Sequence, residues 1–260
     1  MSDGSSPVAL EASGVTKVYR KDGRAMPVLE IERFAAREGE FITIIGPSGC
    51  GKSTFLHIMG GFIPADSGTI RVYGNAVSGP GPDRGMMFQE FALFPWKTVA
   101  GNIAWGLEAQ RFSSSEVEAR VRKYLDIMSL ADFRNHYPAE ISGGMKQRAA
   151  LARVLAFDPK VLLMDEPFGA LDAQTRETMQ EEVTGIWERT RKTIVFVTHD
   201  IEEAVFLGDR VIVLSARPGR IREEVKIDLP RPRTLEVKKS MQCHEYRNHI
   251  WDLIRSESRA

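Results

Sequence analysis

The chain reads as an α/β protein: a mostly parallel sheet covered by helices, with antiparallel strands on its N-terminal side and a helical insert in its middle. Three observations carry this reading. Short apolar runs ("KVLLMD", "TIVFVTHD", "RVIVLS") alternate in the second half with the helical patterns "AQTRETMQEEVTGIWERTR" and "IEEAVFLGD". The runs are apolar almost throughout rather than at every other position, which suits strands buried on both faces between helices. Residues 98–157 keep apolar side chains at helical spacing, and the first three strand-like segments of the chain follow one another with no helix between.

In order, residues 8–13, 28–36 and 41–45 have strand composition, with the polar turn "RKDGRAMP" ahead of the second. "FITII" runs directly into glycines and then into "KSTFLHIMGGF", a helix pattern. Residues 69–73 and 85–88 are further short strands. Within the insert, "SSSEVEARVRKYLDIMSL" begins with serines and a glutamate, the chemistry of a helix N-terminus, and continues with apolar residues at helical spacing. Past Pro218 arginine and proline dominate ("LPRPR"), and a helix is expected from about Lys238. No internal repeat, coiled coil or low-complexity tract is present.

With 260 residues, 43% apolar and 27% charged, the chain can bury a core without staples. Its 35 basic and 35 acidic residues cancel to a formal charge of +0, which argues against a general nucleic-acid binder. Cys50 and Cys243 are its only cysteines, without metal-ligand spacing, and a reducing compartment is the simplest expectation. The N-terminus has no basic-then-apolar signal pattern, and the longest apolar runs are strand-sized, far short of a bilayer span. The expectation is a soluble chain whose contact with any membrane goes through a partner.

"GPSGCGKST", residues 46–54, fits G-x-x-x-x-G-K-[ST] with a strand before it and a helix after it, the setting this motif needs. Gly46, Gly49 and Gly51 let the loop through Pro47, Ser48 and Cys50 curl until its amides, those after Pro47, face a phosphate chain. Lys52 would reach the outer phosphates, Ser53 would place its hydroxyl on Mg²⁺, and Thr54 closes the loop as a further nucleotide-binding residue. "VLLMDE" is the expected partner: a buried strand delivers Asp165 to the Mg²⁺ shell, and Glu166 follows it as the group that orients and activates water. His199 ends another apolar strand, where it could meet the terminal phosphate; a satisfied surface or core histidine is the competing reading. Gln89, after a short strand, could touch metal and water from the other side, or be an ordinary loop residue. Two adjacent glycines in "ISGGMKQR" leave bare amides where another helix begins, a second place that favours an anion.

Taken in order, the phosphate loop, Gln89, "ISGGMKQR", "VLLMDEP", "GALD" and His199 resemble the nucleotide-binding subunits of ABC transporters, over roughly residues 8–230, with 231–260 as a C-terminal extension. The resemblance implies a P-loop NTPase core with an inserted helical subdomain over about 98–157, hydrolysing ATP with Mg²⁺. It implies that two copies pair head to tail, so that Ser142, Gly143 and Gly144 of one close over the nucleotide on the phosphate loop of the other. It makes Tyr19 the aromatic that stacks on adenine, Glu166 the catalytic carboxylate, His199 the switch histidine and Asp172 part of the loop linking the two sites. Its partners would be transmembrane permease subunits at the cytoplasmic face of the membrane and, indirectly, a substrate-binding protein.

Met145 stands where the family usually has glutamine. "SGGM", "LFPWKTVAGNI" and the "LPRPR" tail are similar to importers of nitrate, sulfonate and taurine. The family receives a short coupling helix of the permease in a groove near "FQEFALFPWKTV", so Phe88, Phe91, Phe94 and Trp96 are divided between groove and core. An exporter or lipid-handling cassette is the first alternative, and a soluble ABC-type ATPase acting on DNA or ribosomes the second. The tail is either a packing extension or a regulatory element, and its basic residues are expected on an ordinary solvated face rather than at an anionic leaflet.

Overall fold

The computed structural model describes residues 6–169 and 171–257, so Ala170, inside the "GALD" segment, and residues 258–260 of the extension lie outside the described residues. Two sheets form the frame. The first is antiparallel, in the order β2 (Arg24–Arg37), β1 (Val8–Lys21), β4 (Ser67–Val72) and β5 (Asn75–Ala76). The second runs β10 (Ile221–Lys226), β9 (Arg210–Leu214), β3 (Phe41–Ile45), β8 (Thr193–Val197), β7 (Val161–Asp165) and β6 (Arg84–Met87). Its pairs are parallel except β10 on β9. All five residues of each of β3, β7 and β8 are buried, as their continuous apolar runs required.

The strand ends differ from the sequence expectation in two places. β1 and β2 extend through most of the stretch read as a turn and pair as far as Lys21↔Arg24. The turn itself is Asp22-Gly23, with φ of 51° and 76°. Two consecutive left-handed residues match the twist of a tight hairpin, so two residues suffice where eight were expected. β10, hidden in the basic tail, is an addition to the expected strands; its burial alternates, but the inward side carries Glu223 between Ile221 and Val225, so no apolar alternation announces it.

Helix α1 (Lys52–Gly60) and the antiparallel sheet cover one face of the main sheet, with Phe34, Phe55, Leu56 and Met59 in the core between them. The insert, α2 (Val99–Ala109), α3 (Ser114–Ile127) and α4 (Gly143–Ala156), shares the other core with α5 (Ala173–Thr190). Ser113 caps α3 through the expected capping box with Glu116. The short α6 (Ile201–Leu207) packs with β9, β10 and the C-terminal α7 (Met241–Glu257), where Cys243 and Ile250 are fully buried.

Two of the tail's arginines, Arg231 and Arg233, turn inward, whereas Lys239 and Arg255 stay on the expected solvated face. Arg231 donates to Asp209 Oδ1 and to the Leu207 carbonyl, and lies 4.1 Å from the Trp187 ring centroid. Arg233, 3% exposed, donates to the carbonyls of Val205, Phe206 and Gly208. The unpaired carbonyls at a helix C-terminus carry partial negative charge, and a guanidinium can satisfy several at once. That demand drew these two residues inward.

Candidate functional site

The strands β3, β6, β7 and β8 are parallel, so their C-terminal ends open on one edge. From β3 the chain enters the glycine loop, whose backbone is packed tightly enough to require glycine. A Cβ at Gly46 would lie 2.8 Å from the Leu214 carbonyl oxygen, and at Gly51, with φ of 102°, 3.0 Å from that of Val28. Gly51 caps α1 without a side-chain hydrogen bond, and no acid occupies the first turn, so the helix opens with its amides uncovered. Lys52 is buried and its Nζ spans the loop, donating to the carbonyls of Gly46 (2.9 Å) and Pro47 (3.1 Å).

Ser53 Oγ donates to Asp165 Oδ1 (2.9 Å), joining the loop to the end of β7. His57, one turn after Ser53, places Nε2 3.4 Å from the other carboxylate oxygen. Glu166 follows, one-fifth exposed, and His199 Nδ1 donates to its Oε2 (2.9 Å) from the segment after β8. Gln89 and Glu166 flank Gly169: the Gln89 amide nitrogen and Glu166 Oε2 are each 3.9 Å from where a Cβ on Gly169 would sit. The donor set Ser53 hydroxyl and Asp165 carboxylate fits a hard cation, which takes oxygen ligands and completes its shell with phosphate and water. Gln89 is exposed and close enough to Glu166 to serve the same region.

A groove of about 310 Å³ runs over the loop, lined by Ser48, Gly49, Gly51–Thr54, Glu166, Arg217 and, on the strand side, Tyr19, Met26 and Val28. Tyr19 sits opposite Met26 in the β1–β2 ladder and is 39% exposed, an aromatic face open to the groove. Cys50 points into the protein, and burial pushes its thiol pKa up. The loop is therefore lined with backbone rather than with a reactive side chain.

Ser142, Gly143 and Gly144 do not line this groove. Ser142 caps α4, its Oγ accepting from the Met145 amide, and Ser142 and Gly143 are exposed. The same helix is tied to the site from behind: Gln147, fully buried, donates to the Pro167 carbonyl next to Glu166 (2.8 Å). Asp172 caps α5, accepting from the Thr175 amide (3.0 Å), and that bond holds its carboxyl below the usual range.

The aromatic segment divides. Phe88 stacks against His57 and Phe62, and Phe91 packs on the helical core. Phe94 meets Trp96 and Trp105 at ring distances of 5.5 and 4.9 Å, and Trp96 is 71% exposed. Asn102, fully buried, bonds the amide and carbonyl of Phe94 and the carbonyls of Lys97 and Thr98, fixing the loop that presents this patch.

Sequence reasoning missed His57 and Arg217. For His57 a signal existed, since it follows Ser53 by four residues and so shares its helix face. Arg217 reaches the loop from 168 residues away, through a contact no local pattern announces.

Residues 29–169 match the family described as "ABC transporter". The chain is 46% identical to a nitrate import ATP-binding protein of Synechocystis, over 95% of each chain. It is 44% identical to an aliphatic sulfonates import ATP-binding protein of Bacillus cereus, over 94% of each. Its fold superposes with a TM-score of 0.74 on a dimeric structure of a post-hydrolysis state of the ATP-binding cassette MJ0796 bound to ADP and Pi. That match has 32% identity and covers 85% of this chain and all of the other.

Proposed function

From the premise that the chain belongs to the ABC transporter family, as an ATP-hydrolysing cassette, we propose that it energises uptake of a small anion through a transmembrane permease. The observation that carries the site is the convergence of Lys52, Ser53, Asp165, Glu166 and His199 around one groove. Loop amides and Lys52 hold the phosphate chain. Ser53 and Asp165 would hold Mg²⁺, with Gln89 at its edge; bound there, the ion would neutralise charge on the outer phosphates. Glu166 accepts a proton from the attacking water, and His199, bonded to Glu166, orients that carboxylate and faces the terminal phosphate. Tyr19 offers its ring to the base.

Ser142, Gly143 and Gly144 act on a second copy. They stand at a helix N-terminus away from this chain's own groove, Ser142 and Gly143 exposed and Gly144 half-buried, which suits an anion held by a partner. The dimeric cassette structure and the two import relatives support this reading and the direction of transport. Among the described residues no helix is long and apolar enough to cross a membrane, which fits attachment through a permease. The Phe94–Trp96–Trp105 patch is the surface offered to it, aromatic and exposed on a rigidly held loop.

Glu166→Gln tests the assignment. Phosphate release should fall about 10²–10⁴-fold, and the ATP-loaded protein should elute from a sizing column as a dimer. Hydrolysis at the wild-type rate would remove Glu166 from this role. For the direction and cargo, a strain lacking the chain should lose growth on nitrate or an alkanesulfonate as single nitrogen or sulfur source; normal growth on all of them would refute small-anion import.

A further inference from the structure

Arg217 comes from the β9–β10 turn, on the far side of the sheet from the helical insert. The turn is built into the phosphate loop's surroundings. Ser215 Oγ bridges the Pro218 carbonyl and the Arg220 amide. Gly219 donates to the Val28 carbonyl and accepts from the Glu30 amide, and a Cβ at Gly219 would run into the Cys50 carbonyl. Held this way, Arg217 lays its guanidinium on the loop: Nε donates to the Gly49 carbonyl (2.6 Å), and the side chain lines the groove with Ser48, Lys52 and Tyr19.

Two features point beyond a brace for the loop. A neutral donor would suffice to satisfy one carbonyl, yet the residue is a cation, exposed, and among the described residues it has no carboxylate at ion-pair distance. Two positive side chains, Lys52 and Arg217, thus border one groove whose other loop residues are the glycines and the hydroxyl residues Ser48, Ser53 and Thr54. Nε bonds the loop and Nη2 lies over Gly49, where a Cβ would come within 2.7 Å of it, which leaves Nη1 as a charged donor for a phosphate oxygen. The one acid on the groove, Glu166, lies with His199.

Resting on the nucleotide-groove reading above, we propose that Arg217 is a nucleotide-binding residue that contacts the phosphate chain, a second cationic clamp beside Lys52. It joins the β9–β10 turn to the nucleotide.

The test is displacement of a fluorescent ADP from the purified full-length chain by ATP, ADP and adenosine. Arg217→Ala and Arg217→Gln are compared, glutamine keeping a donor for the Gly49 carbonyl while removing the charge. Both should weaken ATP and ADP by roughly tenfold and leave adenosine unchanged, with Arg217→Lys in between. Wild-type ATP affinity in Arg217→Gln would reduce the residue to a brace and overturn the proposal. So would an equal loss for ATP, ADP and adenosine. Lys52→Ala, run in parallel, separates the two readings: if it leaves ATP affinity intact, the groove is not the nucleotide site, whatever Arg217 does.

Discussion

Glu166 has a φ of 42°, in the left-handed region that a side chain disfavours by about 1–2 kcal/mol. Its neighbours impose that conformation. The Glu166 amide donates to the Val197 carbonyl (3.0 Å) at the end of β8, and its carbonyl accepts from the Gly169 amide (3.1 Å). The turn aims the carboxylate at His199 and the groove instead of continuing the strand. Strain of this kind persists where geometry matters more than stability. Glu166→Gly should therefore be inactive yet at least as stable as the parent, by up to about 1 kcal/mol, in thermal unfolding. A marked loss of stability would mean that the His199 bond outweighs the backbone strain.

Among the elements, α6 shows how the C-terminal extension earns its place. The helix follows His199 by two residues and has only seven residues of its own. Asp200 caps its start, accepting from the Glu203 amide, and Arg233 satisfies three carbonyls at its end. Burial lowers the Arg233 pKa to about 10, still charged at neutral pH. Glu202, in its first turn, pairs with Arg247 (3.0 Å) and Lys238 (3.5 Å) of the extension. Arg233→Met leaves the carbonyls unmatched and should cost about 2–4 kcal/mol, roughly 5–15 °C in Tm for a chain of this size. An unchanged Tm would show that water replaces the guanidinium. The patch on the insert makes a different demand. Trp96→Ala should leave ATP hydrolysis by the isolated chain near the parent value and depress transport by the reconstituted complex. Equal transport would exclude the patch as the permease surface.

Over the assembled pair, the arrangement has a consequence that can be tested without a permease. A copy with Lys52→Ala keeps its exposed helix start, and a copy with Ser142→Arg keeps its loop. If each centre takes one half from each chain, mixing the two inactive variants creates one intact centre per mixed dimer. Phosphate release should reappear on mixing. Two variants that stay inactive together while the Ser142→Arg copy still binds ATP would show that the halves do not come from different copies.

The motifs alone located the phosphate loop, the Asp165–Glu166 pair and His199, because each lies at the end of a buried apolar strand and the spacing is local. The alternation of those strands with helices implied the parallel sheet for the same reason: continuous burial leaves few places for such segments except between helix layers. Local pattern could not say that Asp22-Gly23 would close a hairpin of fourteen-residue strands. Nor could it divide the aromatic segment, sending Phe88 and Phe91 inward and Trp96 out. Composition placed the basic tail in solvent, whereas folding turned its Arg231 and Arg233 onto α6 and Asp209; Arg217, ahead of the tail and exposed, found Gly49 in the same way. A charge acquires its partner from contacts between segments far apart in the chain, and unmatched backbone carbonyls, which every sequence contains, become binding groups for arginine only once the helices and turns that expose them are in place.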